Sequence, residues 1–222
     1  MNVELLYKPS QTLGRVRLGP GESITAESGA MVGFSEGVHM QTRAGGALGA
    51  IGRLFGGESI FRNTFIAGPL GGEVLVAPAL RGDLVELEVG RTQWFLRHGA
   101  YVAASAGVDI ATQGSLRGMF SGAGLFLLTT RGAGSMIVGS FGALEDVHVD
   151  GEFTVDTGHI VAWESSLDYT IGKAASGWVA SFFSGEGLVC EFRGRGRLFM
   201  QSRNPEEYGS TVGALLPARE DS

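Results

Sequence analysis

One glycine-flanked aromatic phrase occurs three times in this chain, as RLFGGESIF (Arg53 to Phe61), GMFSGAGLF (Gly118 to Phe126) and SFFSGEGLV (Ser181 to Val189). Phe55, Phe120 and Phe183 stand 65 and 63 residues apart, a period long enough for a whole supersecondary unit. The likeness extends upstream. GESITAESGAMV from Gly21, GAYVAASAGVDI from Gly99 and GEFTVDTGHIV from Gly151 share a glycine turn, a short strand, a second glycine (Gly29, Gly107, Gly158) and another strand. Downstream, IFRNTFIAGPLGGEVLVAP, LFLLTTRGAGSMIVGS and LVCEFRGRGRLFMQS each read as a hairpin-like pair. Units that leave an apolar face uncovered must pack on one another. The expectation is one β domain over residues 1–216, of pseudo-threefold shape, with units at approximately 1–80, 81–144 and 145–203 and a tail at 217–222.

The strands themselves are legible from alternation. GRVRL places Arg15 and Arg17 on one side and Val16 and Leu18 on the other; LVELEV and EDVHVD repeat the pattern. Glycine punctuation in GPGES, AGPLGGE, LRGD and VDGE predicts turns that need positive φ, and hence antiparallel sheets. Glycine is 37 of 222 residues, well above the usual 7% or so, yet apolar residues are abundant throughout, which separates the chain from disordered low-complexity sequence. A helix is signalled at NPEEYGSTVGALL, over 204–216: Asn204 caps, Pro205 suits the first position, and Glu206 and Glu207 suit the positive end of the dipole.

Two glycine-rich insertions, 44–56 and 172–184, read as short helices. They carry apolar stripes of Leu48, Ile51, Leu54 and Phe55 and of Trp178, Val179, Phe182 and Phe183. From the second glycine to the phenylalanine is 26, 13 and 25 residues in the three copies, so the middle copy is expected to lack the insertion. The two stripes form either a plug for the end of the sheets or a candidate association surface, through which the chain makes a homo-oligomer or meets a protein partner or membrane surface.

Motifs for chemistry are sparse. Gly172 and Lys173 are followed by Ala174, with Leu167 in place of the first glycine of a phosphate loop, and GGALGAIG fails the dinucleotide fingerprint. No nucleophile elbow, a serine on a strand-to-helix turn, is read in this chain. Cys190, the single cysteine, sits between apolar neighbours in LVCEF and reads as a buried inert thiol. Asp146, His148 and Asp150 share one strand face, which could hold a metal or simply be the wet side of the strand; His39, His98 and His159 lie in separate segments. Arg193, Arg195 and Arg197 also share a face, with Phe192 and Phe199 nearby, either to meet RNA or to protect a sheet edge. A net charge of −6 weighs against nucleic acid. No cofactor is expected. The N-terminus has neither the basic start nor the apolar core of a secretory signal, and no apolar run approaches the length of a membrane-spanning helix, so a soluble cytoplasmic protein is expected.

ESGAMVGFSEGVHMQT, the segment leading into LFGGESIFRNTF, GGEVLVAP, GMFSGAGLFLLTTRGAG and GLVCEFRGRGRLFMQSRN together resemble the mitochondrial-biogenesis family named for altered inheritance of mitochondria (AIM, member twenty-four) and its bacterial relatives, over approximately residues 1–216. The resemblance implies an all-β, TRAP-like fold of wrapped antiparallel β-sheets and carries over no catalytic residue. The absence of an Arg-rich transit segment points to a cytoplasmic bacterial relative. Three functions follow as expectations: a non-enzymatic assembly or scaffold protein first, then an RNA or small-ligand binder using Arg193, Arg195 and Arg197, then a metal-dependent enzyme at Asp146, His148 and Asp150.

Overall fold

The computed structural model describes residues 1–43, 62–113, 127–172 and 188–217. The aromatic phrases lie outside the described residues, apart from Leu188 and Val189, and so do the insertions, apart from Gly172; all eight residues of the candidate association surface are among those left out.

The described residues form a succession of antiparallel strands followed by one α-helix near the C-terminus. The first stretch contributes β1 (Asn2–Leu6), β2 (Leu13–Leu18), β3 (Ser23–Glu27), β4 (Met31–Phe34), β5 (Val38–Arg43), β6 (Arg62–Ala67) and β7 (Gly72–Val76). The second contributes β8 (Leu84–Val89), β9 (Trp94–Arg97), β10 (Tyr101–Ser105), β11 (Val108–Gln113), β12 (Leu127–Gly132) and β13 (Gly134–Gly139). The third contributes β14 (Leu144–Asp156), β15 (Ile160–Glu164), β16 (Asp168–Gly172) and β17 (Val189–Gln201), followed by α1 (Pro205–Gly213). Asn204 caps α1 by accepting from the amides of Glu206 (3.0 Å) and Glu207 (3.4 Å), and Pro205 opens it.

One pairing scheme occurs three times. In the first stretch β7 pairs with β2 and β4, while β6 pairs with β3 and β5. In the second β13 pairs with β8 and β10, while β12 pairs with β9 and β11. In the third the C-terminal half of β17 pairs with the start of β14 and with β15, while its N-terminal half pairs with the end of β14 and with β16. The strands before and after each glycine corner therefore enter different groups, and the hairpins expected after each aromatic phrase do not form. The pairings join into sheets of order β1-β2-β7-β4, β5-β6-β3-β10-β13-β8 and β11-β12-β9-β15-β17-β14, with β16 on β17.

The same scheme corrects the alignment of the copies. Gly29, Gly99 and Gly158 precede β4, β10 and β15, so Gly99 rather than Gly107 is the counterpart of the second glycine. In this frame 18, 13 and 16 residues separate β5 from β6, β11 from β12 and β16 from β17, and all three copies carry a long connection at the same place. Glycine stands at so many strand ends that the sequence alone admits a slip of one strand.

The third copy differs in having continuous strands. Gly151 (φ 118°) faces Gly194 (φ 116°) across the β14–β17 ladder. Both take left-handed dihedrals open to glycine at little cost, so the ladder continues through the pair, and the turn expected at VDGE is absent.

Alternation delivers the core. Val16 and Leu18 are buried beneath exposed Arg17, and Leu87 and Val89 beneath exposed Glu88. Buried side chains form three clusters, centred on Val16, Phe65 and Val74, on Trp94, Tyr101 and Phe199, and on Trp163, Phe192 and Leu198. Each fully buried large side chain contributes about 1.5–3 kcal/mol of transfer free energy. Between the first and second stretches a polar seam forms: Thr12 donates its hydroxyl to buried Asp83 at 2.5 Å, and Lys8 lies 3.4 Å from the same carboxylate. No helix among the described residues is long and apolar enough to cross a membrane.

Candidate functional site

The two charged faces singled out in the sequence turn out to be one face. In the β14–β17 register His148 lies opposite Arg197, Asp150 opposite Arg195 and Glu152 opposite Arg193. Because side chains alternate along each strand, the acids of one strand stand beside the bases of the other. Arg197 reaches diagonally to Asp146 with two hydrogen bonds, Nε to Oδ1 at 3.3 Å and Nη2 to Oδ2 at 2.7 Å. Arg195 pairs with Asp150 at 2.8 Å, and Arg193 with Glu152 at 3.2 Å and Glu191 at 3.7 Å. The hydrogen bond from Asp146 raises the pKa of Arg197 above its ordinary value, against the opposing effect of partial burial.

This pairing bears on both chemical readings. Three arginines meet four carboxylates, so the face offers no surplus positive charge to a phosphate backbone. Phe192 and Phe199 are buried in the clusters around Trp163 and Trp94 and present no ring to a base. Arg197 covers the Phe199 ring at 4.8 Å, a cation–π contact within the protein. Asp146 and Asp150, two of the three proposed metal ligands, are engaged by guanidinium groups. Among the described residues no group of three His, Cys, Asp or Glu side chains is placed to hold a metal ion.

The remaining candidates are dispersed. His39 is on β5, His98 in the turn before β10, and His148 on β14, all exposed, while the His159 ring lies 2.8 Å by Nδ1 from the carbonyl of Gln201. Cys190 is fully buried, and that burial, helped by Glu191, pushes its thiol up to about 12. At neutral pH it is a protonated, poorly nucleophilic group.

Several depressions among the described residues are open to solvent. One of about 900 Å3 is lined by Glu22, Glu86, Glu88, Ser105 and Ser135; Glu22 holds the Met1 amino group at 2.7 Å and Glu86 accepts the Ser135 hydroxyl. A second of about 320 Å3 lies where Arg97, His98, Gln201 and Glu27 meet. Its polar groups are largely committed: Arg97 donates to the Gly158 carbonyl (3.2 Å) and to Glu206 (2.8 Å), and Gln201 bridges Gly158 and Phe141.

Sequence reading passed over the apolar residues at the outer strand edges. Val32 and Phe34 on β4 and Phe153 on β14 are exposed. For Phe34 and Phe153 the signal was present: each is a large apolar side chain whose neighbours in sequence are polar or glycine.

The chain matches the family described as Mitochondrial biogenesis AIM24 over residues 3–203. It is similar to an uncharacterized protein of Streptococcus pyogenes serotype M6, with 35% identity over 217 residues covering 92% of this chain and 87% of that one. It is also similar to the X-ray structure of a Streptococcus pyogenes protein from a structural genomics programme, with a TM-score of 0.80, 32% identity, and coverage of 97% of this chain and 99% of that one.

Proposed function

This chain belongs to the Mitochondrial biogenesis AIM24 family, and on that premise we propose that it works as a non-enzymatic assembly or scaffold protein. One observation carries the reading: the charged groups that sequence marked for chemistry are spent on one another across β14 and β17. A face of closed ion pairs stabilises a strand ladder and keeps it soluble. Among the described residues its arginines form no free cationic track, because each is paired with a carboxylate. The proposal includes cytoplasmic residence, homo-oligomer formation, and contact with a protein partner or membrane surface. The candidate surface of Leu48, Ile51, Leu54, Phe55, Trp178, Val179, Phe182 and Phe183 remains part of it.

The test is the size of the protein in gently prepared extract of its native host, measured by gel filtration with light scattering. The expected result is elution in a complex well above one 222-residue chain. Elution of the whole pool as a free monomer at cellular concentration would refute the reading.

A further inference from the structure

The junction that joins successive copies of the pairing scheme is formed twice and left open once. β3 pairs with β10, with Ala26 opposite Ala103, Thr25 opposite Ala104 and Ile24 opposite Ser105. β9 pairs with β15, with Leu96 opposite Ala162, Phe95 opposite Trp163 and Trp94 opposite Glu164. Counted from Gly29, Gly99 and Gly158, both junctions have one register: the residue three before one copy's glycine faces the residue four after the next copy's. The third pair of edges is the end of β14 and the outer side of β4. Among the described residues β14 pairs only with β17, and β4 only with β7.

Of the two open strands, β4 is built like its paired counterparts. β4, β10 and β15 each carry a bulge at the same place, after Met31, Tyr101 and Ile160. Their side chains nevertheless differ in burial. All four residues Tyr101 to Ala104 and all four residues Ile160 to Trp163 are at 1% exposure or less, whereas Val32 is 57% and Phe34 43% exposed. On the other edge Phe153 is 36% exposed, while its counterparts Ile24 and Trp94 are at 1% and 2%. The seam is thus open among the described residues of the single chain. It leaves apolar side chains where the formed junctions bury them, beside unpaired backbone groups that template another strand.

We infer that this seam is closed by a second copy of the chain: the outer edge of β4 in one molecule adds antiparallel to the end of β14 in the next, with Gly33 opposite Val155, Phe34 opposite Thr154 and Ser35 opposite Phe153. The occupant is a copy of the chain because these two edges stand, counted from Gly29 and Gly158, where the paired edges of the two internal junctions stand, and β4 carries on its β7 side the bulge that β10 and β15 carry on their β13 and β17 sides. The edges differ, so the contact is heterologous: each copy offers one of each, and copies add head to tail into a ring or a filament. This rests on the assembly reading above and names its surface.

Cysteines at the facing positions test it. Directly opposed residues of an antiparallel pair lie within disulfide reach. Oxidised Phe34→Cys/Thr154→Cys protein should give a ladder of multimers on non-reducing gels. An equal mixture of the two single variants should stop at the cross-linked dimer. Val32→Lys, at a side chain 57% exposed, should shift the light-scattering mass to that of a monomer with the circular-dichroism spectrum unchanged. A cross-linked monomer without a ladder would show that the chain closes on itself and would overturn the inference. So would a wild-type protein that stays monomeric at every concentration. Multimers that persist unchanged in the lysine variant, with no ladder from the cysteines, would overturn this surface while leaving the assembly reading standing.

Discussion

Trp163 and Trp94 form a natural experiment on one hydrogen bond. Both indoles are buried, at 0% and 2% exposure, and both stand among aromatic rings: Trp163 beside Phe95, Tyr169 and Phe192, Trp94 beside Phe199. Trp94 donates its Nε1 hydrogen to the Glu88 carbonyl at 2.9 Å, whereas the Trp163 Nε1 is buried with no partner among the described residues. Replacing either by Phe removes roughly two methylene equivalents of packed surface, about 1.5 kcal/mol. At Trp94 the lost hydrogen bond adds about 0.5–1.5 kcal/mol, for a total of about 2–3 kcal/mol. At Trp163 the substitution removes an unsatisfied donor whose burial costs about 1–3 kcal/mol, so the net effect falls between about +0.5 and −1.5 kcal/mol. Trp163→Phe is therefore expected to be at least about 1.5 kcal/mol more stable than Trp94→Phe, some 3–6 °C in melting temperature for a chain of this length. Urea denaturation followed by circular dichroism measures the difference, provided the two m-values agree. Equal midpoints for the two variants, or a Trp163→Phe midpoint below that of Trp94→Phe, would refute the reasoning by showing that the Trp163 donor is satisfied or that ring shape dominates.

Three further outcomes follow from single residues. Asn204→Ala removes the cap of α1, worth about 1 kcal/mol to the helix; because α1 buries no residue fully, amide exchange over Pro205–Gly213 should accelerate while the global melting temperature barely moves. Cys190 should resist a thiol-specific reagent at mildly alkaline pH in the native protein and react at once in denaturant, since burial holds its thiol near 12; rapid native labelling would contradict that burial. Burial raises the Glu27 carboxyl above its ordinary value. The folded state then holds the proton more tightly than the unfolded one, so this residue's contribution to stability falls as pH rises through the window between the two values. Glu27→Gln should therefore stabilise the protein at neutral pH and not in acid; a gain of equal size at both would show that the effect is not one of charge.

What the residues determine on their own is local. Alternation at Arg15, Val16, Arg17 and Leu18 sets which side of a strand is buried, because successive side chains point to opposite faces whatever the partner strand is. Asn204, Pro205, Glu206 and Glu207 start a helix because capping needs only the first turn. Cys190 is buried because its strand carries apolar residues on that face, in keeping with its apolar setting in the sequence. The all-β class and the family were legible in the same way, from ordered phrases along nearly the whole chain. Pairing across long separations was not. Whether Gly151 turns or bends a strand depends on Gly194 lying opposite, and that register is a property of two segments some forty residues apart. Asp146 and Arg197 each carry an unbalanced charge in their own segment, and they neutralise one another because the β14–β17 ladder sets them side by side. Val32 and Val102 occupy the same place in the same pattern, yet one is exposed and the other buried. The difference lies outside both segments: β10 has β3 along its outer edge, and β4 has no described strand along its own.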